Sequence, residues 1–375
     1  MIRRILSVLP GMLWLVAGFA QAEEMLTLRG RQVEMVWAPA GGALVRWRFL
    51  DDRINPLNFE ITPAIERLRE NEPILRGHFL CLDRWGAPSA AEAMLGMPFH
   101  GEAPRIHWKI ERQPQSAGKT VVAEMSATLP IAGLRVTRQI LLDEAGSLAV
   151  VTERVTNTNK LGRIYNLVQH PSIAPPFLND GTIIDSNAQQ GLVQDQPVPA
   201  SLDAAISWPQ VPLGSANVDL RRFRGDSGKG AQHDVCSFVF TGGEPHGWVT
   251  ACSPTHRLLL GYLWRTVDYP WLNIWRYRQD GQIAARGLEF GTTGYHQPFA
   301  TLVRQGRILD RPLYDYLDAD ESVARSYVCF LANIPDDFEG IRELRFDAGS
   351  IRLRERRTVE PRTVELATHL NLIPP

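Results

Sequence analysis

Residues 134–157 read LRVTRQILL-DEAGS-LAVVTERVTN. Apolar and polar side chains alternate on both sides of Asp143-Glu144-Ala145-Gly146, the two-residue period of a strand with one buried face. The interruption is built from turn residues. A strand over Leu134–Leu142 and another over Leu148–Val155, joined so closely, run antiparallel. The same pattern continues outward. Met25–Arg29, Val33–Trp37, Leu44–Phe49, Ile106–Glu111 and Val121–Thr128 precede this pair. Tyr165–Gln169, Thr182–Asp185, Val235–Phe240, Trp248–Cys252, Arg257–Trp264, Leu272–Arg278 and Ala284–Phe290 follow it. Ala324–Leu331, Ile341–Phe346, Ile351–Arg354 and Thr363–Ala367 close the series.

Helical signals are confined to Pro63–Glu70 and Asp310–Asp318. Many strands without crossover helices predict an all-β chain of antiparallel sheets packed face to face. No repeat of propeller or solenoid length is visible. No linker divides the chain, so residues 23–375 read as one large β-sandwich domain. The polar segment Asp180–Gln232 is expected to form long loops over one sheet, where loops shape binding sites.

The N-terminus, MIRRILSVLPGMLWLVAGFAQA, has a basic start at Arg3 and Arg4, an apolar run and an Ala20-Gln21-Ala22 cleavage pattern. Residues 1–22 therefore read as a signal peptide, with an uncleaved anchor as the alternative. The apolar run is short against the roughly 20 residues of a membrane span. The expectation is a periplasmic or secreted protein, soluble once the leader is removed. Loss of Arg3 and Arg4 takes the formal charge from −1 to −3. There is no basic patch, which argues against nucleic acid and anionic membrane as partners.

Export makes disulfides among Cys81, Cys236, Cys252 and Cys329 possible, and sequence does not choose among pairings. Cys236 and Cys252 flank what reads as strand, turn, strand, and would face each other if the turn centres near Gly243–Pro245. The alternative is four buried free thiols. No C-x-x-C pair is present, and His78, His107, His233, His246, His256 and His296 lack metal-ligand spacing, so no metal site is read. The chain also lacks phosphate-binding and nucleophile-elbow motifs.

Three blocks carry a resemblance to a known family. The first is LRGHFLCLDRWG with MPFHGEAPRIHWKI, holding Arg76-Gly77, Trp85-Gly86, His100-Gly101 and Trp108. The second is VTERVTNTNKLGRIYNLVQHPSIAPPFL, holding His170-Pro171. The third is PWLNIWRY followed by ARGLEFGTTG, holding Trp275 and Glu289. In this order they resemble the galactose mutarotase-like (aldose 1-epimerase) family, over roughly Leu26 to Leu302. The resemblance implies an antiparallel β-supersandwich, a carbohydrate ligand and no cofactor. It implies His170 as general acid and Glu289 as base. Two departures stand out: His78 follows the Arg-Gly turn where many relatives have a second glycine, and Glu102 occupies a position that tends to be aromatic in members handling phosphosugars.

The chemistry suits the residues. Exchanging anomers requires a base at the C1 hydroxyl and an acid at the ring oxygen, and a carboxylate and an imidazole can be tuned to both tasks. Leu288 and Phe290 flank Glu289 on the opposite strand face, so Glu289 can look into a partly dry pocket that raises its pKa. Pro171 restrains the backbone of His170 to extended conformations. His100 can sit in a tight turn ahead of Gly101 and hydrogen-bond a sugar hydroxyl or the ring oxygen. Arg76 is a candidate donor to a hydroxyl pair, or the partner of Glu72 or Asp83. Among ten tryptophans, Trp85, Trp208, Trp264 and Trp275 are candidate stacking platforms, with Trp275 and Trp208 preferred. A non-catalytic carbohydrate-binding protein with the same fold is the alternative reading. The identity of the sugar and the oligomeric state are not encoded in any recognisable motif.

Overall fold

The computed structural model describes residues 24–61, 73–214, 216–224 and 228–372. The leader read in residues 1–22 and the helix expected at Pro63–Glu70 lie outside these. Leu134–Asp143 and Leu148–Asn157 do pair antiparallel along their length, with Leu134 opposite Asn157 and Leu142 opposite Ala149. Among the described residues they belong to an eight-stranded sheet, and a thirteen-stranded sheet forms a second layer. The main core fills the space between them. Met125, Val136, Ile140 and Val151 face Leu80, Leu167, Leu288 and Phe290, all of them buried. The expected antiparallel supersandwich is therefore what the chain forms.

Lateral order in the larger sheet positions everything that follows. Ala43–Phe49, His78–Asp83, Arg163–Ile173, Gln282–Gly291, Trp271–Gln279 and Ala231–Val239 lie side by side in that sequence. The eight-stranded sheet is covered on both faces. Its strand Leu258–Arg265, LLLGYLWR, is apolar at most positions rather than at alternate ones. Leu260, Tyr262 and Trp264 face the main core, while Leu259 and Leu263 pack with Ile341, Ile351 and Leu353 of a three-stranded C-terminal sheet. Burial of both faces removes the reason for alternation.

Three local expectations differ from the structure. Asp310–Asp318 is not a helix but contributes short strands at Arg311–Pro312 and Asp315–Leu317. Leu309 and Asp310 sit at φ 47° and 63°, left-handed values that prevent a helix from starting there. The segment Asp180–Gln232 is less loop-like than its polarity suggests. It holds short strands at Ile183–Ser186, Gln190–Val193, Ile206–Ser207, Gln210–Leu213 and Ala216–Asp219, and all but the first extend the large sheet beyond Ala231–Val239. Strands of two to four residues are too short to show a period. Finally, Cys236 and Cys252 do not lie on one hairpin. Ala231–Val239 pairs with Trp271–Gln279 in the large sheet, whereas His246–Ser253 pairs with Leu258–Arg265 in the other. The turn between them crosses layers, and all four cysteines are buried free thiols.

The layers are also joined by a buried polar chain. Arg138 donates through Nε to Glu153 Oε1 at 2.7 Å, and Gln169 Nε2 donates to Glu153 Oε2 at 2.6 Å. His78 Nε2 lies 3.1 Å from Gln169 Oε1. Burial holds His78 well below the usual imidazole range, so it is neutral and donates from Nε2. Arg138 lies 4.6 Å and 4.3 Å from the ring centroids of Trp37 and Trp108, where indole faces complement its charge. The departure at His78 is thus structural: its side chain faces the core, opposite to that of Phe79. Among the described residues no helix is long and apolar enough to cross a membrane.

Candidate active site

The face of the large sheet turned away from the main core carries a second apolar cluster, including Phe59, Leu75, Phe79, Trp85 and Tyr277. A cavity of about 490 Å³ opens there. Strand alternation decides which side chains reach it. On Gln282–Gly291, Arg286, Leu288 and Phe290 are buried on the core side, and Glu289 projects into the cavity. On Arg163–Ile173, His170 projects the same way. Gly287 lies opposite Ser172 and Phe290 opposite Gln169, so the register brings Glu289 level with His170.

These two side chains touch. His170 Nε2 is 3.1 Å from Glu289 Oε1. Trp85 Nε1 donates to the other carboxyl oxygen, Glu289 Oε2, at 2.6 Å. His170 Nδ1 lies 3.0 Å from Ser172 Oγ, two residues along the same strand face. Glu289 is 1 % exposed and His170 5 %, and these values set the protonation of the pair. Burial pushes the Glu289 carboxyl well above the usual carboxylate range, and the Trp85 bond opposes this only in part. Burial likewise lowers His170 to about 3. The pair is therefore neutral, with Glu289 as the carboxylic acid and His170 as the uncharged imidazole.

His100 joins them from a loop. Its imidazole centroid is 5.2 Å from that of His170. The turn that carries it lies directly on the strand His78–Asp83, with Gly101 bridged to Leu82. Gly101 has φ 78°, and a Cβ there would meet Leu82 O at 2.1 Å, so glycine is required for this approach. The backbone N–H of Gly86 donates to His100 Nδ1 at 3.1 Å. Nδ1 is thus an acceptor, and neutral His100 carries its proton on Nε2 as a donor. Burial, with His170 adding to it, holds His100 well below the ordinary imidazole range.

His170, Glu289, His100 and Trp275, proposed from sequence, all line the cavity. Trp275 is half-buried, stacked with Tyr277 at 5.8 Å and met edge-on by Phe59 at 5.6 Å. Arg76 and Trp208 are not among the described lining residues. The turn before His78 contributes Leu75 instead, and the backbone of Arg76 bridges to Glu60. Trp208 sits where the short strands extend the sheet and packs edge-on against Phe238 of the main core, at 5.4 Å. Trp264, the other indole considered, is buried in that core and stacked on Phe290.

Two residues gain a role that their sequence context did not show. Trp85, which lines the cavity, also donates to Glu289 through Nε1. His296 closes the cavity beside Trp85 and His100, its backbone N–H donating to Gln194 Oε1 at 2.7 Å. Burial lowers its imidazole to about 4. The arrangement can move a proton between a carboxyl and an imidazole in a dry pocket and hold a polyhydroxylated ring against aromatic faces. Among the described residues no three His, Cys, Asp or Glu side chains converge as a metal site requires.

No family model matches the chain, and no curated protein matches it in sequence. Solved structures do. A protein from Klebsiella pneumoniae subsp. pneumoniae named as a candidate aldose 1-epimerase superposes with a TM-score of 0.59 at 15 % identity, over 80 % of this chain and 77 % of its own. A galactose mutarotase related enzyme from Lactobacillus acidophilus gives 0.55 at 10 % identity, over 84 % and 99 %. A galactose mutarotase-like protein from Clostridium acetobutylicum gives 0.54 at 11 % identity, over 83 % and 96 %. At these identities the likeness shows the galactose mutarotase-like fold.

Proposed function

We propose that the chain interconverts the anomers of a sugar, with Glu289 taking the C1 hydroxyl proton and His170 delivering one to the ring oxygen. One observation carries this reading: a carboxyl and an imidazole stand 3.1 Å apart inside an aromatic-walled cavity. Both oxygens of a hemiacetal are bonded to the same carbon. The acid and base that serve them must therefore stand close together, as these do. The ring opens, the C1–C2 bond rotates, and closure on the other carbonyl face gives the second anomer. The names borne by proteins of the same fold point the same way.

The proton inventory starts from the neutral pair. Burial favours the carboxyl form, while the Trp85 N–H favours the carboxylate. Sugar hydroxyls entering the cavity add further donors to Glu289, and the proton passes across the direct contact to His170 Nε2 before the sugar parts the two groups. This leaves a base over the C1 hydroxyl and an acid over the ring oxygen. His100 Nε2–H supplies a fixed donor beside them, and Trp275 a face for the ring C–H groups. The leader read in residues 1–22 would deliver this activity to the periplasm or beyond, on a soluble protein.

The test is NMR exchange between anomers of freshly dissolved aldoses, with and without protein, across pH. The active pair holds one transferable proton. Rate should fall on the acid side as His170 gains a second proton, near its lowered pKa of about 3. It should fall on the alkaline side as the pair loses its only proton, with a midpoint above the ordinary carboxylate range. A plateau is expected between these limbs. A rate following an unshifted carboxylate near pH 4.3 would contradict the buried-pair mechanism.

Gly287→Ala tests the placement. A Cβ at that position would lie 2.6 Å from Glu289 Oε1 and 3.1 Å from Trp275 Cβ. The carboxyl is the softer neighbour and should swing away from His170. Turnover is expected to fall by about 10²-fold, the scale of an ångström's misplacement, with the sheet intact by circular dichroism.

A further inference from the structure

A proton that passes from Glu289 to His170 must find Nε2 bare, and the one already on the imidazole must sit on the other nitrogen. The contacts around the pair meet both conditions. Glu289 Oε2 accepts the Trp85 N–H at 2.6 Å, so the carboxyl proton belongs on Oε1, the oxygen 3.1 Å from His170 Nε2. Nε2 is then the acceptor. A neutral imidazole carries one proton, which therefore sits on Nδ1. Nδ1 faces Ser172 Oγ at 3.0 Å. The hydroxyl accepts there and turns its own hydrogen toward the His170 carbonyl, 3.5 Å away.

Ser172 stands behind the reacting groups. It is fully buried and is not among the described lining residues. Its neighbours across the sheet are both glycines: Gly287 lies opposite it on one side, and on the other its N–H donates to Gly77 O at 3.1 Å. Phe79, stacked on the imidazole at 4.2 Å, sets the plane of the ring. A half-turn about the Cβ–Cγ bond would keep that plane but exchange Nδ1 with Cδ2 and put Cε1 where Nε2 stands. A carbon makes no such bond to the hydroxyl, so Ser172 selects the orientation that presents Nε2 to Glu289. The contact matters more once the proton arrives. His170 then carries a hydrogen on each nitrogen, and Nδ1–H needs an acceptor in a buried place. A hydrogen bond from a charged donor is also the stronger kind. Delivery of the Nε2 proton to the ring oxygen returns the imidazole to its starting tautomer, with Nδ1–H still on Ser172.

Resting on the isomerase reading above, we infer that Ser172 is a positioning residue: its hydroxyl holds a spectator proton on His170 Nδ1, so that Nε2 alone takes and gives the reacting one. Two measurements test this. Nitrogen NMR of the His170 imidazole in the wild-type protein at neutral pH reads the tautomer without any sugar, and should show a protonated Nδ1 and a bare Nε2. Exchange kinetics on freshly dissolved aldoses form the second. Ser172→Ala should lower kcat by about 10–100-fold, the rate equivalent of one hydrogen bond to a charged group. KM should hardly change, since Ser172 stands outside the described lining. The same variant should move His170 toward the Nε2–H tautomer. Ser172→Thr keeps the oxygen, and the flanking glycines leave room for its methyl, so most of the rate should return. If Ser172→Ala does not melt as a folded protein, Ser172→Cys takes its place and, as a weaker acceptor, should fall short of wild type. A bare Nδ1 in the wild type overturns the inference and leaves the isomerase standing. So does a wild-type kcat in the alanine variant, or an equal loss in folded alanine and threonine variants. A wild-type protein that exchanges no aldose removes the isomerase, and the role of Ser172 with it.

Discussion

Glu289→Gln is expected to cut anomer exchange by about 10²-fold or more while leaving sugar affinity nearly unchanged. Glutamine is close to isosteric, so its carbonyl can still accept from Trp85 Nε1 and its amide can still donate to His170 Nε2, the two contacts that Glu289 makes now. What it lacks is the ability to take or hold a proton. With the pair's one proton gone, neither the base at C1 nor the acid at the ring oxygen can be generated. Trp275→Ala should behave in the opposite way. Its indole touches no proton in flight, so truncation should weaken binding, by roughly 1–3 kcal/mol if sugars stack as nucleobases do, and lower kcat less. Melting curves must accompany both, because Trp275 also packs against Phe59 and Tyr277. Equal exchange rates for wild type and Glu289→Gln, with binding intact, would reject catalysis and favour a binding protein.

Much of this architecture was legible in the sequence, and the reasons are physical. Where a strand buries one face, as Leu134–Asp143 does, the period of two is printed in the residues. The same alternation identified the face of Glu289, because Leu288 and Phe290 had to be core. Pairing was less legible. Strands adjacent in sequence need not be adjacent in space, and Ala231–Val239 and His246–Ser253 looked like a hairpin although they belong to different layers. The site was visible through residues whose chemistry is local to a motif: His170 before Pro171, His100 before Gly101. It was invisible where a role depends on a contact between distant segments. Trp85 and Glu289 are 204 residues apart, and nothing around Trp85 announces that its N–H ends on a carboxyl oxygen. Arg76 is outside the described cavity lining although Leu75 beside it contributes, and its backbone bridges to Glu60, a pairing that sequence spacing does not reveal.

The buried chain beneath the site should be the most sensitive place for stability. Arg138 and Glu153 are 1 % and 0 % exposed, and Glu153 also takes the Gln169 amide. Glu153→Ala would leave the guanidinium without its counter-charge and the amide with only a 3.4 Å contact to Tyr269 Oη, among buried groups. Breaking one side of such a pair costs about 3–5 kcal/mol, because the remaining charge stays buried. Urea unfolding should show that loss as a lower midpoint. The double replacement Arg138→Met with Glu153→Leu should recover much of it, since two well-packed apolar side chains remove the orphaned charge along with the pair. Recovery need not be complete, because the Gln169 amide N–H then keeps only the longer contact to Tyr269 Oη, at 3.4 Å. Gln169 precedes His170, and its side chain faces the core while His170 faces the cavity. The double variant can therefore be stable and still place His170 less well. Its expected signature is a near-normal unfolding midpoint with lowered kcat, whereas Glu153→Ala should lose both. A double variant as unstable as the single one would show that the polar chain itself, rather than the uncompensated charge, holds the layers together.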